Sequence, residues 1–127
     1  MARCGFQHTV CLSDDGSLSA FGSNEYGQLG LGHTKNEKIP HTIKSLSRIV
    51  SLSCGYSSTV CADENGGVFT FGDNSFGQLG LGNTTSQLSP QQLPQGIPPV
   101  SSVHCGATHT ICIDHEQTIW SFGNNSS

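Results

Sequence analysis

Three stretches of β-branched and apolar residues, Thr9-Val10-Cys11-Leu12, Thr59-Val60-Cys61-Ala62 and Thr110-Ile111-Cys112-Ile113, each run into a short polar turn. The turns contain Asp14-Asp15-Gly16, Glu64-Asn65-Gly66 and Asp114-His115-Glu116, residue types that reverse the chain by capping their own backbone or by reaching positive φ. A second run follows each turn: Leu18-Ser19-Ala20-Phe21, Val68-Phe69-Thr70-Phe71 and Ile119-Trp120-Ser121-Phe122. Together these predict three β-hairpins. A further strand is predicted before the second and third, over Arg48 to Ser53 and Pro99 to His104. Glycine and β-branched residues interrupt every window a helix would need. The expected class is all-β.

The hairpins belong to a larger repeat. FGSNEYGQLGLG at Phe21 to Gly32 returns as FGDNSFGQLGLG at Phe71 to Gly82, an offset of 50 with 9 of 12 positions identical. Cys4-Gly5, Cys54-Gly55 and Cys105-Gly106 keep the same step, and Cys11, Cys61 and Cys112 each follow seven residues later. The chain of 127 residues therefore divides into a first period over 4–53, a second over 54–104 and a truncated third over 105–127, about two and a half units. Such units bury their apolar faces only against neighbours.

Glycine, 16 of 127 residues, is concentrated in the recurring segments and reports turns. Gly72-x-Asn-x-x-Gly77-Gln-Leu-Gly80-Leu-Gly82 reads as a tightly wound loop anchored by Leu79 and Leu81. It lacks the Lys of a phosphate-binding loop, and no helix opens behind it. The six cysteines sit at equivalent positions beside small residues and read as free thiols in a packed layer. Cys4-x3-His8-x2-Cys11 and Cys105-x3-His109-x2-Cys112 contain zinc ligand types, but Ser58 replaces the His in the middle copy. Strand alternation would also place residues 4 and 11 on opposite faces unless a bulge intervenes. Phe21, Phe71 and Phe122, with Phe69 and Trp120 beside two of them, read as core and inter-unit packing.

Cys-Gly-x-x-x-Thr followed by apolar residues, alternating with FG[SD]NxxGQLGLG, resembles the repeats of the regulator of chromosome condensation family over essentially the whole chain. The resemblance implies four-stranded blades, seven of which close a β-propeller, so this chain is expected to be an incomplete β-propeller. His8 and His109 match the family's recurrent His before Thr, which implies a hydrogen-bonded partner in a turn, strand or neighbouring blade. Coherent repeats, exchangeable surface loops and no convergent reactive group lead to the expectation of a noncatalytic protein-interaction module or scaffold. The alternative is guanine-nucleotide exchange on a Ran-like small GTPase, an activity of some members that uses one propeller face and a β-wedge; no wedge can be matched here. Chromatin contact through a basic arm is also known in the family, but only Met1-Ala2-Arg3 precedes Cys4-Gly5.

Charge narrows the partners. All five Lys and Arg lie before residue 49, and five of the nine acids lie after it, for a formal net charge of -4. That distribution offers no clustered positive surface for phosphates, so direct nucleic-acid binding is not expected. No apolar run reaches the length of a spanning helix and no signal-peptide pattern opens the chain, so no membrane association and an intracellular location, cytoplasmic or nuclear, are expected. The tripeptides beginning at Asn83, Asn124 and Asn125 match glycosylation acceptors only formally. No catalytic, cofactor-binding or metal-binding residue is assigned. The inter-repeat stretches His33 to Leu46 and Asn83 to Pro99 read as variable loops that carry partner specificity. Uncovered propeller edges predict self-association of the isolated chain.

Overall fold

The computed structural model describes residues 1–94 and 97–123, so the tripeptides at Asn124 and Asn125 lie outside the described residues. Among the described residues, eleven strands form three antiparallel sheets. The first contains β1 (Ala2–Cys4), β2 (His8–Leu12), β3 (Leu18–Gly22) and β4 (Glu37–Thr42), paired in that order. The second repeats it with β5 (Ile49–Cys54), β6 (Ser58–Asp63), β7 (Val68–Gly72) and β8 (Gln87–Gln92). The third holds β9 (Val100–Cys105), β10 (His109–Asp114) and β11 (Ile119–Gly123). Stacked without closing a ring, the sheets make the chain an incomplete β-propeller.

Alternation gives each sheet two unlike faces. In the first, Val10 pairs with Ala20 and Leu12 with Leu18, so these side chains share a face. In the second, Thr59 pairs with Phe71 and Cys61 with Phe69 on the opposite kind of face. One apolar core joins Val10, Leu18 and Ala20 to Cys61, Phe71 and Leu52. A second core uses the other face of the second sheet, joining Val60, Ala62 and Val68 to Val103, Cys112, Trp120 and Phe122. The first two sheets thus turn aliphatic residues to the next unit, and the second and third turn a Thr/Cys/aromatic face to the preceding one. Phe71 is wholly buried, a burial that contributes about 2 to 3 kcal/mol.

Two stretches read as loops contain the outer strands. β4, EKIPHT, and β8, QLSPQQ, are mostly exposed and carry Pro40 and Pro90. Proline cannot donate to a ladder and argues against a central strand, but the outermost strand needs donors on one side only. The register shifts between Ala20 and Gly22, and again between Thr70 and Gly72, as these strands join. The pattern was illegible because neither strand has an apolar face to bury. No helix occurs among the described residues.

Candidate interaction site

Antiparallel pairing places the β1–β2, β5–β6 and β9–β10 turns and the β3–β4 and β7–β8 loops at one end of the sheets, and the hairpin turns at the other. At the first end the recurring polar residues are consumed by the loop itself. Asn24, fully buried, donates through Nδ2 to the carbonyls of His33 at 2.8 Å and Lys35 at 3.0 Å, while its Oδ1 accepts the Leu29 N–H at 3.0 Å. Asn74 repeats this with the carbonyls of Asn83 and Thr85 and the Leu79 N–H, each at 3.0 Å. Gln28 and Gln78 accept the N–H groups of Tyr26 and Phe76 at 2.9 Å. Gly30 and Gly80 hold φ of 69° and 70°. A Cβ there would stand 2.8 Å from the Phe71 ring or 2.7 Å from the Phe122 ring, so the close approach of loop to next sheet requires glycine.

Loop and next sheet are also hydrogen-bonded. The Thr59 hydroxyl donates to the Gln28 carbonyl at 2.9 Å, and the Thr110 hydroxyl to the Gln78 carbonyl at 2.7 Å. Thr59 Oγ1 lies 3.0 Å from His8 Nε2. Since the Thr59 proton is committed to Gln28, His8 Nε2–H donates and Nδ1 is left unprotonated. Nδ1 is buried and finds no partner among the described residues. Burial lowers the His8 pKa from 6.5 to about 4, outweighing a backbone contact at Ser58 that acts the other way.

The hydrogen-bonded partner expected for His8 is therefore found in the neighbouring sheet, in the Thr59 hydroxyl. His109, its sequence equivalent, is exposed, because it lies on the third sheet's face that no described sheet covers. The two histidines share a sequence position and not an environment.

The cysteines are free. Cys61 and Cys112 are buried as read, whereas Cys4 is exposed and Cys11, Cys54 and Cys105 are half-buried. Burial pushes the Cys54 thiol up to about 12 and Cys105 to about 11, and also raises Cys61 and Cys112, so none of these is a thiolate at neutral pH. The alternation reading of Cys4 and Cys11 is corrected. A turn separates them into β1 and β2, where Cys4 pairs with Thr9 and Ala2 with Cys11, so both project to the same face. Among the described residues no three His, Cys, Asp or Glu side chains converge to hold a metal ion.

Aromatic side chains remain exposed at the loop end. Phe6 and Tyr56, which follow Cys-Gly in the first two periods, stack with ring centroids 4.3 Å apart and planes 9° apart. A backbone hydrogen bond from Phe6 N–H to the Tyr56 carbonyl, 3.0 Å, ties the two turns together. Beside them opens a cavity of about 230 Å3 lined by Glu25, Tyr26 and Gln28 among others. Sequence reasoning missed this pair, although an aromatic residue after Cys-Gly in two of three periods was a signal. The inter-repeat stretches meet on the outer side, where His33, Pro40, His41, Lys44 and Ser89 line a shallower concavity of about 620 Å3. The Glu37 carboxylate lies 3.6 Å from His33 Nε2 and 3.4 Å from His41 Nε2.

Comparison with known proteins places this geometry in a family. The family model for the regulator of chromosome condensation (RCC1) repeat matches residues 15–62 and 65–113, and a second model of that repeat matches 49–78. The ultraviolet-B receptor UVR8 of Arabidopsis thaliana is 34% identical over 131 aligned residues, covering the whole chain and 30% of the receptor. Human protein RCC2 is 41% identical over 119 residues, 91% of this chain and 23% of RCC2. The chain thus spans less than a third of either relative. Human WBSCR16 superposes with a TM-score of 0.87 at 23% identity, over 97% of this chain and 32% of that structure. Prp20p from Saccharomyces cerevisiae superposes with a TM-score of 0.85 at 19% identity, again over 97% and 32%. Both structures share the fold. Repeat-model matches over most of the chain, joined to stacked antiparallel sheets locked by Thr-to-Gln bonds, make it a member of the regulator of chromosome condensation (RCC1) repeat family.

Proposed function

We propose that residues 1–127 act as a noncatalytic protein-interaction platform, with the periods 4–53, 54–104 and 105–127 as its units, in an intracellular protein. One observation carries this reading. The polar groups that recur, Asn24, Asn74, Thr59 and Thr110, are spent on internal hydrogen bonds, whereas Phe6, Tyr26, Tyr56 and Phe76 stay exposed. His8, the one buried imidazole, is held against Thr59 and is 2% exposed, which leaves it no access to a substrate. Affinity capture with the chain and with a longer protein containing it is expected to recover a reproducible protein partner. Failure of both to do so overturns the proposal.

Exchange on a Ran-like small GTPase is the second reading, favoured by the description of Prp20p in terms of its binding to Gsp1p and histones. Release of a fluorescent nucleotide from a panel of purified small GTPases separates the two. Binding without acceleration supports the platform; acceleration supports exchange.

A further inference from the structure

We infer that the groove between the first and second sheets receives an arginine side chain from a partner polypeptide, its guanidinium lying on the Phe6–Tyr56 ring pair and pairing with Glu25. The inference rests on the interaction reading above and specifies what the platform recognises.

Phe6, Tyr56 and Tyr26 are 60%, 50% and 42% exposed, surface that no internal packing uses. The ring pair is pre-organised, because the two turns that bear it are joined by the 3.0 Å backbone bond from Phe6 to Tyr56. Tyr26 and the pair line the same cavity with Gln7, Gln28 and Glu25, and Glu25 is the only charged residue on that wall. Electron-rich ring faces beside one carboxylate select a cation. A flat guanidinium matches a flat ring pair and can bond a carboxylate and an amide oxygen at once, which a compact ammonium does less well.

The neighbouring groove provides an internal comparison. Between the second and third sheets, Ala107 stands where a ring would continue the stack, and Ser75 stands at the position of Glu25. Tyr56 N–H still bonds the Ala107 carbonyl at 3.0 Å, so the scaffold is conserved between grooves; the second keeps Phe76 at the position of Tyr26 and has Asp73 at that of Ser23, but among the described residues only the first has the stacked ring pair.

The test titrates the 127-residue chain with the blocked peptide acetyl-Gly-Gly-Arg-Gly-Gly-amide, following backbone amides by two-dimensional NMR. Saturable shifts are expected at residues 6, 25, 26 and 56 and not at 75 or 107. Replacing the peptide's arginine by citrulline, which keeps the shape and loses the charge, is expected to abolish them; lysine is expected to bind more weakly. Glu25→Gln and Tyr56→Ala, both at exposed positions, are each expected to lower affinity roughly three- to fivefold. A dispersed amide spectrum checks that each variant is folded. Equal binding of citrulline, unchanged affinity in folded Glu25→Gln, or shifts scattered over other acids overturns the inference. If affinity capture yields a partner that Glu25→Gln and Tyr56→Ala still hold, the groove is wrong and the platform stands. If the peptide binds as expected but neither capture experiment yields a partner, the platform reading fails and the groove stands.

Discussion

The Thr59 hydroxyl in the second sheet bonds the main-chain carbonyl of Gln28 in the loop of the first, at 2.9 Å, and also receives the His8 Nε2–H at 3.0 Å. Thr110 makes only the corresponding carbonyl bond, to Gln78 at 2.7 Å. Thr59→Val should therefore strand two buried groups and Thr110→Val one. The expected losses are about 2 to 4 and about 1 to 2 kcal/mol, read from urea unfolding. Equal losses would contradict the shared role of Thr59.

His8 makes the first interface acid-sensitive. Its folded pKa of about 4 lies below the unfolded value of 6.5, so the folded chain binds fewer protons and stability falls as pH drops from 6.5 towards 4. The contribution at stake is about 3 kcal/mol. Comparing wild type with His8→Ser, which imitates Ser58, should show a shallower decline in that window for the variant. Parallel curves would mean that His8 is not the group responsible.

Glycines in the loops should separate by what stands behind them. Gly80→Ala forces a Cβ against the Phe122 ring at positive φ, and a loss of about 2 to 3 kcal/mol is expected. Gly82→Ala meets nothing within 4 Å, although φ is 79°, and should lose only about 1 kcal/mol. Thermal unfolding of the two variants gives the ordering directly.

The 127-residue polypeptide should self-associate. Ile111, Ile113 and Ile119 share the third sheet's uncovered face, and Ile119 is 66% exposed. Thr9, Cys11 and Phe21 form the first sheet's uncovered face, of the kind that covers aliphatic residues inside the molecule. Size-exclusion chromatography with light scattering should find species larger than the 13.4 kDa monomer, increasing with concentration. A monomer with one steep, concentration-independent unfolding transition would contradict this.

Most of the fold was legible because hairpins announce themselves twice, in β-branched runs and in turn residues, and because the repeat printed each signal again. The outer strands were not, since Pro40 and Pro90 violate strand propensity where only an edge allows it. Equivalence in sequence also misled: His8 and His109 occupy one repeat position but only one of them meets a neighbouring sheet. For the exposed stack of Phe6 on Tyr56, the aromatic after Cys-Gly in two periods marked the positions, but their contact depends on inter-sheet spacing.

Recurring buried polar residues hold the sheets together, while the exposed loop-end residues around Phe6 and Tyr56 meet partners. Hydrogen exchange on the chain, alone and bound to a captured protein partner, tests this division most directly. Added protection is expected in the β1–β2 and β5–β6 turns and the β3–β4 loop, around residues 6, 56, 25 and 26, with the strands unchanged. Protection confined to the hairpin-turn end, or no partner that alters exchange anywhere, would contradict it.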